Sequence, residues 1–226
     1  MRQRFFITST GTGVGKTFIT AALVRQARAL GKSVAAYKPV ISGYDPVHPD
    51  ESDTAVLLQS LGKPASPENI DRISPWRFAT PLAPSMAART EKVALDFEAL
   101  VAHGRKAAEG PEEIMLIEGI GGAMVPLDER HTVLDWIEAL EMQAILVAGS
   151  YLGTLSHTFT ALAVLQQRQI PIFAIIVNES DDSPVPLSAT VGELSRWTRL
   201  PLVPVARRKA EETDGDIPEL RALFAP

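Results

Sequence analysis

Thr8-Ser9-Thr10-Gly11-Thr12-Gly13-Val14-Gly15-Lys16-Thr17 joins an apolar run, residues 4–9, to an amphipathic stretch, residues 16–30. The first reads as a buried strand. The second reads as a helix with Ile19, Leu23, Ala27 and Leu30 on one face and Gly31 as the residue that ends it. A glycine-rich turn between strand and helix is the setting of a phosphate loop. Its glycines let the backbone curl so that several N–H groups face one anion, and the helix N-terminus adds a favourable dipole. In that setting Lys16 reaches the β- and γ-phosphates of a nucleotide and the Thr17 hydroxyl ligates Mg²⁺. The strict pattern asks for glycine where this chain has Thr10, so the loop is a variant with its glycine one place later, at Gly11.

The rest of the chain repeats the alternation. Residues 33–40, 113–118, 143–149 and 172–178 are apolar nearly throughout, as befits strands buried on both faces of a parallel sheet. Residues 53–61, 96–108, 132–140, 154–167 and 187–198 carry helical patterns. Strand and helix in turn imply βαβ units. The expected fold is therefore α/β, a three-layer arrangement of the P-loop NTPase type with a mostly parallel central sheet and helices on both faces. Residues 62–84, rich in proline and polar side chains, read as the one long irregular connection. No linker interrupts the pattern, so residues 1–226 are expected to form one domain.

Composition fits that expectation. The chain has 226 residues, 46% of them hydrophobic and 22% charged. A formal net charge of −5 gives no broad pull on nucleic acid or anionic membrane, so neither is expected as a partner. There are no cysteines, which excludes disulfides, thiolate metal sites and cysteine nucleophiles. The N-terminal apolar run is too short for a signal-peptide core and no apolar stretch is long enough to span a bilayer, which makes a cytosolic, soluble protein the expectation.

A phosphate loop works with an acid at the end of a neighbouring strand. The run 114–118 ends in Glu118 and is followed by Gly119-Ile120-Gly121-Gly122, whose glycines permit close backbone approach. Glu118 is a candidate Mg²⁺ ligand, or else an exposed acid before a loose turn. Tyr37-Lys38-Pro39-Val40-Ile41-Ser42-Gly43 puts Lys38 at the carboxyl end of a strand, where open α/β sheets bind ligands. Lys38 either stabilises a transferring phosphoryl group or is a solvated lysine. Asp53 either caps the helix it opens or joins the metal and nucleotide ligands.

These segments, taken in order, resemble dethiobiotin synthetase. The family pattern appears as Thr12 to Thr17, Tyr37 to Gly43, Ser52-Asp53, Glu118 to Gly122 and an apolar strand ending in Asn178. Leu152-Gly153-Thr154-Leu155-Ser156-His157 resembles the family segment that feeds a helix at a dimer interface. The resemblance implies an ATP-dependent reaction in which 7,8-diaminononanoate takes up CO₂ as a carbamate, the carbamate is phosphorylated, and the second amine closes the ring. It implies that Thr17, Asp53 and Glu118 hold Mg²⁺. Lys16 and Lys38 would neutralise the phosphoryl group and carbamate, and Thr12 and Ser42 would hydrogen-bond the diamine or carbamate. Gly13, Val14, Gly15, Phe18, Gly119 and Gly121 would lie about the nucleotide. Asn178 would read the adenine edge, Glu179 would bind the nucleotide, Pro204, Val205 and Ala206 would line the nucleotide, and Glu211 would meet its ribose. Gly153, Thr154 and Leu155 would offer helix N-terminal N–H groups to the substrate carboxylate from a second subunit, which implies a homodimer. The chain departs from the commoner family wording at Ser9 and Gly11, where glycine and aspartate are usual, and has Gly13 where some members carry an acid.

Three alternatives share these motifs. A nucleotide-switch ATPase of the partition type would carry an extra lysine early in the loop, and residues 10–13 have none. A GTPase would need lysine where Asn178-Glu179-Ser180-Asp181 has Glu179. An amide ligase related to cobyrinate synthases would need a glutaminase domain to supply ammonia. Of the remaining residues, His157 is read as structural or as reaching the substrate region, and Trp76 and Phe78 as core or as cover over a pocket. Asp181 and Asp182 are read as a solvated turn, and Lys106, Arg207 and Arg208 as surface charges.

Overall fold

The computed structural model describes residues 2–181, 183–208 and 217–224. Its strands are β1 (Gln3–Ser9), β2 (Val34–Tyr37), β3 (Val40–Ser42), β4 (Trp76–Phe78), β5 (Ile114–Glu118), β6 (Gln143–Ala148), β7 (Ile172–Asn178) and β8 (Leu202–Val205). Six of them form a sheet in the order β2-β5-β1-β6-β7-β8, and every described pairing in it is parallel. The helices are α1 (Lys16–Ala29), α2 (Asp53–Ser60), α3 (Pro67–Ile73), α4 (Pro84–Glu91), α5 (Phe97–Ala108), α6 (Val133–Leu140), α7 (Thr154–Gln167), α8 (Leu187–Trp197) and α9 (Pro218–Arg221).

The period of two along each strand divides the core into layers. Phe5 and Ile7 of β1 face one side with Leu116, Ile145, Val147 and Ile176, packed under Ile19 and Leu23 of α1 and Leu220 of α9. Phe6 faces the other side with Met115, Ile117 and Leu146, under Leu100 of α5, Trp136 of α6, Leu165 of α7 and Leu194 of α8. Trp136 meets Phe6 edge-on, with ring centroids 4.8 Å apart. Helices on both faces explain why these strands carry no polar alternation.

Three expectations are corrected. The strand expected over 33–40 stops at Tyr37, because Pro39 has no N–H for the ladder. The Lys38 N–H instead bonds the carbonyl of Ile73 at 3.0 Å. The chain resumes as β3, which pairs with β4 in a separate two-stranded parallel sheet. The connection at 62–84 is not irregular. It holds α3 and β4 and leads into α4, with Pro67 and Pro84 starting helices, a position where a missing N–H costs nothing. Leu30 is exposed, because it is the C-cap of α1 and lies past the face that Ile19, Leu23 and Ala27 bury. β8 was not anticipated; it is short, lies at the sheet edge and carries Pro204. No helix among the described residues is long and apolar enough to cross a membrane.

Candidate nucleotide and phosphoryl-transfer site

β1 lies in the middle of the sheet, between β5 and β6, and ends at the loop of residues 10–15. Gly13 and Gly15 adopt φ of 77° and 89°, the left-handed region that only glycine enters without strain. A Cβ on Gly15 would also collide with the Asn178 carboxamide. Gly15 is the N-cap of α1, no side chain caps that helix, and its first turn holds no acid. The first-turn N–H groups therefore remain for an anion.

The side chains behind the loop are charged and buried. The Lys16 ammonium donates to Ser9 Oγ at 3.1 Å and to the Gly11 carbonyl at 3.4 Å. Ser9 Oγ lies 2.7 Å from the Gly11 carbonyl and 2.9 Å from that of Gly121, and its single proton serves one of them at a time. Burial lowers the Lys16 pKa to about 8, with Glu118 partly opposing and Lys38 reinforcing the shift. Lys38 is also buried, but its surroundings differ. Its ammonium donates to Glu118 Oε1 at 2.5 Å, to Asp53 Oδ2 at 2.7 Å and to Thr17 Oγ1 at 3.3 Å. Burial disfavours the charge on Lys38, but Glu118 and then Asp53 outweigh that cost, and its pKa rises above the ordinary lysine value. Asp53 is half-exposed; burial pushes its pKa up, and the Lys38 charge more than reverses that, leaving it lowered.

The cap of α2 removes one of the two readings of Asp53. Ser52 accepts the N–H of Ala55 and is the N-cap, which leaves the Asp53 carboxylate for Lys38. Thr17 Oγ1 donates to Glu118 Oε1 at 2.7 Å, so hydroxyl and carboxylate converge from α1 and β5. Glu118 is fully buried and its Oε2 has no hydrogen-bond partner, which is costly for a carboxylate oxygen unless a cation serves it. Thr17, Asp53 and Glu118 thus suit a hard divalent cation that takes its remaining ligands from phosphate oxygens and water. Among the described residues no cluster of three or more His, Cys, Asp or Glu competes for that role.

A cavity of about 330 Å³ opens above this group and brings together Thr12, Gly13, Gly15, Lys16, Thr17, Phe18, Lys38, Ser42, Asp53 and Gly121. Gly119 stands behind it, packed close to the Phe6 ring. Phe18 also lines a second hollow with Asn178, Glu179, Asp181, Ala206, Arg207 and Arg208, a natural continuation toward a base. There Asn178 Nδ2 donates to the Val14 carbonyl at 3.1 Å. Glu179 accepts the Arg207 N–H at 2.9 Å and donates its own N–H to the Val205 carbonyl. The Val205 side chain points into the core and Pro204 is exposed, so of the three residues 204–206 Ala206 lines this hollow. Glu211 lies outside the described residues. Gly153, Thr154 and Leu155 form the N-terminus of α7, with Gly153 as a left-handed N-cap, and do not line the phosphate cavity. His157 bonds the Tyr151 hydroxyl at 2.8 Å and borders a third hollow with Thr12. Phe78 is core, and Trp76 is half-buried against His103.

Two contributors were missed. Ser9 holds the Lys16 ammonium, and Arg207, expected as a plain surface charge, pairs with Asp181 and borders the base hollow. Arg207 lies two residues past the end of β8, so recognising that strand would have placed it at the carboxyl edge of the sheet.

A family model described as an AAA domain matches residues 3–212. An ATP-dependent dethiobiotin synthetase of Acidiphilium cryptum is 45% identical over 195 residues, 86% of this chain and 87% of that protein. One from Caulobacter vibrioides is 44% identical over 219 residues, 96% of this chain and 98% of that protein. Among solved structures, the septum site-determining protein MinD of Pyrococcus horikoshii complexed with Mg-ADP superposes with a TM-score of 0.56 at 20% identity, over 95% of this chain and 85% of that one. The last likeness speaks to the fold alone.

Proposed function

The chain belongs to the ATP-dependent dethiobiotin synthetases, and from that premise we propose that its phosphate cavity closes the ureido ring of dethiobiotin on 7,8-diaminononanoate. One amine of the diamine adds to CO₂ and loses a proton, giving a carbamate. A carbamate oxygen attacks the γ-phosphorus of ATP and ADP departs. The second amine then attacks the carbamate carbon and inorganic phosphate leaves. The carbamate is short-lived in water, so the main contribution of the protein is position: holding that oxygen in line with the γ-phosphate.

The observation that carries this reading is the convergence of Lys16, Thr17, Lys38, Ser42 and Asp53 on one cavity above buried Glu118. The α1 N-terminus and Lys16 take the phosphates. Lys38 balances charge on the carbamate and the transferring group. Ser42 and Thr12 hydrogen-bond the carbamate and diamine. Thr17, Asp53 and Glu118 would hold Mg²⁺, which supplies charge neutralisation at the phosphates when bound. No strong base is needed, since the second amine is nucleophilic once neutral. Asn178, Glu179 and Ala206 meet the base. The substrate carboxylate is taken by the α7 N-terminus of a second copy, Gly153, Thr154 and Leu155, which makes the working unit a homodimer. Dependence on ATP fits a cytoplasmic enzyme.

The test is incubation with Mg-ATP, bicarbonate and 7,8-diaminononanoate, followed by mass spectrometry for dethiobiotin. Product that vanishes when diamine or bicarbonate is withheld is expected. ATP bound without product would overturn the assignment.

A further inference from the structure

Lys38 holds one oxygen on each of the three side chains that a divalent cation would use, so a metal entering here competes with its ammonium even though Glu118 Oε2 has no partner among the described residues. Its three ammonium protons are directed to Glu118 Oε1, Asp53 Oδ2 and Thr17 Oγ1, at 2.5, 2.7 and 3.3 Å. Those are the three side chains assigned above to the metal. A divalent cation bonded to the same oxygens at about 2.1 Å would sit almost against the ammonium, two positive centres in a space that one already fills. We infer that Lys38 is the resting counter-ion of the metal site, and that entry of the divalent cation expels its ammonium into the cavity, toward Ser42, where it acts on the carbamate. The inference rests on the proposed function for the final destination of Lys38, but the displacement itself does not depend on which substrate is bound.

The surroundings leave Lys38 few choices. It is buried, at 4% exposure, and beneath it Glu118 is at 0%. With Glu118 and Asp53 taken by a metal, the open direction is the cavity that Lys38 shares with Thr12, Ile41 and Ser42. The stem of Lys38 is anchored, since its backbone N–H bonds the Ile73 carbonyl, and Pro39 fixes the next residue. Movement is therefore confined to the four-carbon side chain. The arrangement also answers a folding problem. Glu118 is a fully buried carboxylate, and without a cation it would carry an uncompensated charge. Lys38 supplies that cation before metal arrives, so metal and ammonium are alternatives at one site, and the lysine becomes free for chemistry only once metal has loaded.

The experiment is Mn²⁺ binding to the nucleotide-free protein, read by electron paramagnetic resonance without substrate. The wild type should bind weakly. Lys38→Met, of similar length and no charge, should bind roughly tenfold more tightly or better, whereas Lys38→Arg should stay as weak as wild type. Glu118→Gln in the Lys38→Met background should abolish the gain, which places the metal at this carboxylate. Thermal denaturation gives a second reading that needs little protein: added Mn²⁺ should raise the melting temperature of Lys38→Met by more than it raises that of wild type. Equal Mn²⁺ affinity in wild type and Lys38→Met, or an equal thermal shift in both, overturns the inference. Dethiobiotin formation by the wild type tests the function separately, so the two can fail independently.

Discussion

Lys16 and Lys38 are two buried ammonium groups at one cavity with opposite surroundings. Lys38 has two carboxylates, whereas the partners of Lys16 are a hydroxyl and a carbonyl, both neutral. Burial therefore dominates at Lys16 and brings its pKa to about 8, while Lys38 is held charged. The sign of the consequence is fixed. A lysine with a depressed pKa is charged below that value and neutral above it, so the attraction of Lys16 for phosphate is full below about pH 8 and must be restored by proton uptake above it. Nucleotide affinity is expected to hold from pH 7 to about 8 and then to weaken by up to about tenfold per pH unit. Stability runs the other way: the buried charge of Lys16 costs most below about pH 8, and that cost fades as the pH rises toward the ordinary lysine value of 10.5. A fluorescent ATP analogue titrated between pH 7 and 9.5 gives the check. Lys16→Met should bind weakly with a flat profile, and a flat wild-type profile would mean that Lys16 does not titrate in this range.

The elements differ in how much of their own stability they carry. α6 begins with a capping box: Asp135 N–H donates to Thr132 Oγ1, and the Thr132 N–H donates to Asp135 Oδ2 at 2.7 Å. Arg168, from the end of α7, reaches Asp135 Oδ1 at 3.1 Å. Burial pushes the Asp135 pKa up, and the Thr132 hydrogen bonds and Arg168 outweigh it, leaving it lowered. A lowered carboxylate pKa stabilises above the unfolded value of 3.8, and the gain is lost as pH falls through the folded value. Asp135→Ala, which removes its side-chain hydrogen bonds to Thr132, should cost about 0.5–1.5 kcal/mol in urea denaturation at pH 7, and the gap from wild type should narrow near pH 3. An equal gap at both pH values would show that the charge of Asp135 is idle. Elements with such local signals were legible. β1, β5, β6 and β7 were visible because both faces are covered, which made them apolar throughout, and β7 falls on the expected residues. α3, α4, α9, β3, β4 and β8 were missed because each is short, and the strands among them are fixed by contacts distant in sequence, such as the pairing of Val40 with Trp76. The same division runs through the site. Lys16, Lys38, Thr17 and Glu118 stand at ends of recognisable elements, whereas Ser9 and Arg207 owe their roles to Gly121 and Asp181, partners that no local pattern links to them.

At the scale of the whole molecule, the cavity that gathers the phosphoryl-transfer groups and the N-terminus of α7 are separate features of the chain. The Thr154 hydroxyl is spent on the Gly149 carbonyl at 2.7 Å and its backbone N–H on the Tyr151 carbonyl at 3.1 Å, so the N–H groups of Leu155 and Ser156 are what α7 offers an anion. Leu152, just before that helix, is 86% exposed, and Met124, which lines a hollow with His157, is 53% exposed. In the proposed homodimer each copy would lend its α7 terminus to the cavity of the other. A mixing experiment decides between shared and self-contained sites. Lys38→Ala should remove the phosphoryl-transfer role proposed for this lysine. Ser156→Glu puts a carboxylate in the first turn of α7, where the helix dipole favours it but an anionic substrate does not. Each variant alone should be nearly inactive at low diamine concentration. After dissociation and random reassociation, half of the dimers are mixed, and each mixed dimer pairs one intact cavity with one intact α7. About a quarter of wild-type activity should therefore return. If each chain served its own cavity, every site in the mixture would keep one defect and no activity would return.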